Sequence, residues 1–326
     1  MLLKSVGFIW LTSAIAVQAA FNKITLDTQS ITDGIMTDKE YAAYIEFLET
    51  LRNNRWAAQA YCDTYTGHSF FNMFKISARC SSPLVLYPPD GRDGSYYACN
   101  MDKLRKPCVI YSIGSENNFI FEEAIEKFGC EIHTFDCHAS GHGAPASVQY
   151  HKWCIDGHNW RGDHFTIGTL MSKLDHKKID FLKIDIEGTE YPSLPRLADL
   201  PPESLPEQIA VEIHPWPELP GHKRTVWKLH ATLDLILSLH RLGYRLLSRD
   251  DYTPAPCCSQ FLFGLPHRLP GGPAPFPHGF ASQEPSSNPL TPKTMPRDLG
   301  HSKDNHIFDR HQSGKQWAPV FTNPFA

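Results

Sequence analysis

The sequence lacks a dominant charge: 31 Lys and Arg stand against 35 Asp and Glu, for a net charge of −4 over 326 residues. Binding nucleic acid by bulk electrostatics needs a basic face, so no nucleic-acid partner is expected. None of the nine cysteines forms a C-x-x-C pair. Zinc-type spacings are therefore missing, and no metal-ligand set is assigned. No G-x-G-x-x-G run occurs, which counts against a nicotinamide or flavin enzyme. Internal repeats are absent as well.

A targeting signal is present instead. Lys4 precedes an apolar run from Val6 to Val17, and Val17-Gln18-Ala19 offers small residues at a cleavage site. This has the form of a secretory signal peptide over residues 1–20, and it is too short for a comfortable membrane span. No stable span is expected unless that segment is retained as an anchor. A secreted or lumenal address favours disulfides, and an odd cysteine count leaves one thiol over or paired between chains. From Pro266 onward lie 11 of the 26 prolines, among Gly, Ser, His and Asn. That composition predicts a disordered tail over 266–326, because it cannot bury enough apolar surface to offset its ordering entropy.

Between these ends, 41% hydrophobic residues suffice for an ordinary core. Residues 21–105 read as an N-terminal extension. Its helix starts at the capping box Thr37-x-x-Glu40 and continues through Tyr44, Leu48 and Leu51 to about Tyr61. A hairpin follows, punctuated by Pro88-Pro89-Asp90-Gly91 and Asp93-Gly94. Residues 106–265 alternate between strand and helix patterns. Strands are expected at 108–113, 131–135, 147–155, 179–186, 209–213, 244–247 and 259–263, and helices at 119–128, 166–174 and 226–242. This rhythm predicts an α/β fold: a mostly parallel, seven-stranded sheet of Rossmann-like type with helices on both faces.

In such a sheet ligands bind outside the carboxyl ends of the strands. After the first core strand comes Gly114-Ser115-Glu116-Asn117-Asn118, where glycine permits a tight turn and a helix N-terminus follows. Asp136 ends the second strand, at a spacing suited to holding both hydroxyls of a ribose. The run Leu182-Lys183-Ile184-Asp185-Ile186-Glu187-Gly188 places two carboxylates on one face at a strand end. A metal-binding pair of the glycosyltransferase kind would share that pattern. His214 closes the fifth strand, where an imidazole could act as general base toward a hydroxyl.

Several of these runs resemble the methyltransferase-like protein 24 group. They are Cys108 to Gly114, Phe121-Glu122-Glu123-Ala124, Gly129 to Asp136, Leu182 to Gly188, and Val211-Glu212-Ile213-His214. The Asp185-Ile-Glu187-Gly188 signature is also similar to FkbM-type methyltransferases, which act on hydroxyl groups. The resemblance implies a class I methyltransferase fold with S-adenosylmethionine as cofactor. Gly114 and Ser115 would pass under its methionine moiety, and Asp136 would hold its ribose. Asp156, in the turn after the third strand, would lie near adenine, and Asp185 would face the amino or methyl end. Ser112 stands where the class I pattern has an acidic residue, and Glu116 is the candidate for the missing carboxylate. His214 or Asp185 would serve as base, with Glu187 orienting a hydroxyl acceptor borne by a small molecule, glycan or protein. Two rival functions share the sequence features: a non-catalytic secreted binding protein, and a lumenal metal-dependent glycosyltransferase.

Overall fold

The computed structural model describes residues 36–64, 71–214, 222–251 and 258–269. The signal-peptide segment and all of the expected tail beyond residue 269 lie outside them. The N-terminal helix begins at Thr37 as the capping box requires. The Thr37 hydroxyl accepts from the Glu40 N–H, and the Glu40 carboxylate accepts from the Thr37 N–H at 2.8 Å. One helix was expected to Tyr61, but two form: α1 (Asp38–Asn53) and α2 (Arg55–Thr64). Asn54 separates them, its side-chain oxygen accepting from the N–H groups of Trp56 and Ala57 and so starting a new helix.

The expected hairpin is β1 (Val85–Tyr87) paired antiparallel with β2 (Tyr96–Ala98). The core then runs β3 (Val109–Ile113), α3 (Ile120–Ile125), β4 (Glu131–Phe135), β5 (Val148–His151), β6 (Cys154–Ile155) and β7 (His164–Phe165). It continues through α4 (Ile167–Lys173), β8 (Phe181–Ile184), α5 (Glu190–Ser193), β9 (Gln208–Ile213), α6 (His222–Arg241), β10 (Arg245–Asp251) and β11 (Ser259–Gly264). The main sheet has seven strands in the order β10-β11-β9-β8-β3-β4-β5. All neighbouring pairs from β9 to β5 are parallel, and β11 alone runs against its neighbours. The predicted third strand over 147–155 is interrupted at Lys152 and Trp153. Its second part leaves the sheet as β6 and pairs with β7.

Two apolar layers cover the sheet. One gathers Leu48, Leu51, Leu170, Leu229, Leu233 and Ile236 against the strands, so α1, α2, α4 and α6 share a face. The other joins Tyr96, Ala98, Phe121 and Ile125 to Ile110, Phe181 and Leu262, placing the hairpin and α3 opposite. Central β9 and β11 are buried along their whole length, as expected for strands sandwiched between layers. Disulfides join Cys80 to Cys99, Cys108 to Cys130 and Cys137 to Cys154, and Cys258 is disulfide-bonded too. The Cys108–Cys130 bridge ties the starts of two adjacent strands. The first residues of the expected tail, 266–269, pack against the domain. Arg268 hydrogen-bonds the carbonyls of Pro202, Glu203 and Leu205, and Leu269 is buried.

After β5 the chain crosses back over β3 to form β8. The strand order therefore reverses between β3 and β8, and open α/β sheets form their ligand crevice at the carboxyl ends of such a switch. The residues of interest gather there.

Candidate functional site

At the end of β3 the chain turns at Gly114, with φ 79°, and Glu116 and Asn117 are also left-handed at 47° and 64°. A methyl group on Gly114 would overlap the Asp185 carbonyl oxygen. Only glycine lets this loop lie against the end of β8. Lys183, buried on β8, donates its ammonium to the Gly114 carbonyl and ties the same two segments together.

The structure uses Asp136 differently from the expected ribose acceptor. One carboxylate oxygen accepts from the N–H groups of Ser115 at 3.0 Å and Glu116 at 2.8 Å. The other accepts from those of His138 and Ala139, both at 2.9 Å. These four bonds fill the lone pairs of an ionised carboxyl group. Burial raises the Asp136 pKa, but the four N–H donors outweigh it and hold the group below its ordinary value. Asp136 therefore braces the loop after β3 against the loop after β4, and in this arrangement it has no acceptor left for a ribose. Ser115 belongs to the same brace, its hydroxyl lying 3.4 Å from the Asp136 carboxylate.

Asp156 is engaged as well. It accepts from the Gly157 N–H at 2.6 Å and the Trp160 indole at 2.7 Å. Gly157 packs against the backbone of Pro192 in α5, so the turn stands beside the segment that follows Glu187. What it offers a ligand is the shape of that turn; its carboxylate is already bonded.

Asp185, Glu187 and His214 do come together. Asp185 accepts from the Tyr96 hydroxyl at 2.8 Å and lies 3.9 Å from the Lys183 ammonium. Glu187, left-handed at φ 56°, points outward with its side chain 58% exposed. His214 Nε2 is 3.9 Å from Asp185 and 4.0 Å from Glu187. Behind it, Nδ1 faces Glu190 at 3.3 Å and Nε2 faces Glu212 at 3.2 Å. Glu190 is fully buried and also accepts from the N–H groups of Ile186 and Gly188, which shapes the turn after β8.

This setting changes the part His214 can play. Burial works against the imidazolium, but the hydrogen bonds and charges of Glu190 and Glu212 prevail and push its pKa up to about 10. At neutral pH the ring keeps its proton and has no lone pair for a second one. It balances the carboxylates, and a ring that keeps its proton does not suit the base role expected of it. Partial burial raises the Glu187 pKa; His214 opposes this, while Asp185, Glu116 and Glu190 add to the rise. The Glu116 charge is thus close enough to act on Glu187.

Asp185, Glu187 and His214 also offer ligand atoms within 4.8 Å of one another, a spacing a divalent ion would accept. Both nitrogens of His214 are already engaged by Glu190 and Glu212, so the set is better suited to an organic cation. The paired carboxylates of Asp185 and Glu187, with the Glu116 charge acting on Glu187, fit a sulfonium or ammonium group. The residues present therefore match the cationic end of S-adenosylmethionine, while its ribose has no partner in Asp136.

Four members of the site carried no assigned role in the sequence. Lys183 and Glu212 each sit two residues before a recognised position, on the same strand face. Glu190 lies two residues beyond the recognised motif, and its burial is a tertiary fact. Tyr96 comes from the hairpin, 89 residues before its partner Asp185, with no local signal.

Comparison with known proteins agrees with this picture. A family described as "Methyltransferase domain" matches residues 87–260, more than half of the chain, starting ahead of the expected domain at 106–265. The chain is 31% identical over 162 residues to proteins named "Probable methyltransferase-like protein 24" from Rattus norvegicus and Homo sapiens. Those matches cover 43% of this chain and 42% of each relative, so less than half the length of the relatives is spanned. Among solved structures, a putative tRNA (m1A22) methyltransferase of Streptococcus pneumoniae covers 50% of this chain and 66% of its own, with TM-score 0.31 and 10% identity. M. capricolum TrmK bound to S-adenosyl-homocysteine covers 50% and 65%, with TM-score 0.30 and 9% identity. Those scores are too low to carry a functional inference. The family match begins at the last residue of β1, covers β2 to β10 and ends at the start of β11, and on that ground the chain belongs to the methyltransferase-domain family.

Proposed function

We propose that this chain transfers a methyl group from S-adenosylmethionine to a hydroxyl-bearing acceptor within the secretory pathway. The observation that carries this reading is the convergence of Asp185 and Glu187 with His214 at the strand-order switch, beside a loop that only Gly114 permits. When bound, the cofactor supplies an activated methyl group on a positive sulfur. The chain's own task is then to align the acceptor and exclude water.

Tyr96 and Lys183 hold Asp185 from one side while His214 neutralises part of the charge from the other. An acceptor hydroxyl loses its proton as it attacks, and the group that takes it is a carboxylate of the Asp185–Glu187 pair. Glu187 is the better placed, since it is outward-facing and its pKa is raised above the ordinary carboxylate value. The hydroxyl acceptor is supported by the likeness of Asp185-Ile-Glu187-Gly188 to FkbM-type sequences. The lumenal address is supported by three disulfides and the N-terminal apolar run. Among the described residues no helix is long and apolar enough to cross a membrane.

Calorimetry on the full chain with S-adenosylmethionine tests the reading. Binding is expected, at least tenfold weaker in Asp185→Asn and in Glu187→Gln. Absence of binding to the wild-type protein would overturn it. One observation favours a second reading, a binding protein that keeps the fold without the reaction: the Asp136 carboxylate is wholly spent on backbone N–H groups. Turnover of labelled methyl groups onto hydroxyl acceptors separates the two.

A further inference from the structure

A second convergence of ligand atoms lies toward the other end of the sheet. Glu131 opens β4, and His133 follows two residues later on the same strand face. His176 comes from the segment between α4 and β8 and reaches the same spot. His133 Nε2 is 2.9 Å from a Glu131 carboxylate oxygen, and His176 Nε2 is 3.7 Å from that same oxygen. All three ligand atoms lie within 4.8 Å of one another. With metal–ligand distances near 2.1 Å, a tetrahedral zinc site spaces its donors by roughly 3.4 Å. The observed separations bracket that value.

A second observation concerns the atoms that do not converge. His133 Nδ1 is hydrogen-bonded to His151 Nε2 at 2.9 Å, and His176 Nδ1 to the Tyr111 hydroxyl at 2.7 Å. The Gln149 amide donates to the Glu131 oxygen at 2.9 Å. Each imidazole thus has its far nitrogen held and its Nε2 turned toward the carboxylate. Metal-ligating histidines show this arrangement, because the outer bond fixes both tautomer and ring plane. Exposure grades across the set: the His133 side chain is 2% exposed, His176 11% and Glu131 46%. Ligands are therefore buried on one side, and the Glu131 side is open to solvent.

We propose that Glu131, His133 and His176 form a binding site for one divalent ion of the zinc class, with water in the remaining position. Two imidazoles and one carboxylate suit zinc by ligand type, where calcium or magnesium would call for oxygen alone. Glu131 starts the strand whose far end leads into Asp136, about 16 Å away along the strand. The ion would clamp β4 to the segment after α4, and its role is structural. No spacing rule finds it in the sequence, since His176 lies 43 residues after His133.

The test uses the full chain, stripped with chelator under non-reducing conditions and titrated with zinc by calorimetry. One zinc per chain is expected. His176→Ala and Glu131→Gln should each weaken binding at least tenfold, with circular dichroism confirming the fold, while Asp185→Asn should leave it unchanged. Cobalt loaded in place of zinc should show the visible absorption of a four-coordinate site in the wild type, and His176→Ala should lose it. A wild-type chain that takes up no zinc overturns the proposal, whatever the variants do. So does uptake that survives both ligand substitutions, or that disappears with Asp185→Asn.

Discussion

His214 Nδ1 stands 3.3 Å from the carboxylate of Glu190, a residue with no solvent exposure that also caps the turn after β8. The pair links the ends of β8 and β9 and fixes a positive charge behind the acidic crevice. Its consequence is a definite pH dependence. The folded-state pKa of His214, about 10, is raised above its ordinary 6.5. Its contribution to stability is then fully present below about pH 6.5, declines as pH rises, and is gone above about pH 10. Thermal melting of the wild type and His214→Gln across that window checks this. The gap between the two should be widest at the acid end and shrink toward pH 10.

The same charge state bears on catalysis. If a carboxylate of the Asp185–Glu187 pair takes the acceptor proton, kcat/KM should rise with pH through a carboxylate ionisation and show no imidazole limb near 6.5. Glu187→Gln should lower kcat by about 100-fold, within the usual range for loss of a general base. A profile that instead tracks an imidazole, and vanishes with His214→Gln, would return the base role to His214.

Asp136→Asn replaces one acceptor oxygen by an amide that faces two backbone N–H groups. Charge-assisted bonds of this kind contribute about 1.5–3 kcal/mol each, and the substitution sets donors against donors. A loss of about 2 kcal/mol or more is expected in urea denaturation. Cofactor affinity should fall with it, because the loop from Gly114 to Glu116 is released.

Gly114→Ala should be more damaging than an ordinary loop substitution. The residue is left-handed, and the added methyl would overlap the Asp185 carbonyl oxygen. Strain alone costs about 1–3 kcal/mol, and the backbone of β8 or of the loop must also shift. Cofactor binding, read by calorimetry on protein that remains folded, should drop at least tenfold.

Removing the Cys137–Cys154 bridge frees a loop of 17 residues. The chain-entropy argument gives about 3 kcal/mol for a loop of that size. Cys137→Ala with Cys154→Ala should therefore lower the melting temperature clearly, with less change in the strands around β8. Hydrogen exchange would locate the loosening near β5, β6 and the Asp136 brace.

The sequence by itself determined the alternation of strands and helices, the glycine turn after β3, and the carboxylates at the end of β8. These are local matters: periods of two and 3.6, and the backbone freedom of one residue. The capping box at Thr37 was legible for the same reason, while the break at Asn54 competed with a continuous apolar stripe and was not. Tertiary structure decided the rest. It placed β11 antiparallel between β10 and β9 and drew β6 out of the sheet. It also brought Tyr96 to Asp185 across 89 residues and His176 to Glu131 across 45. Above all it decided how each ionisable group is used. Asp136 holds four backbone N–H groups, and His214 sits between two buried carboxylates. Lone pairs and protons are assigned by neighbours in space, and those neighbours come from segments that the linear order keeps far apart.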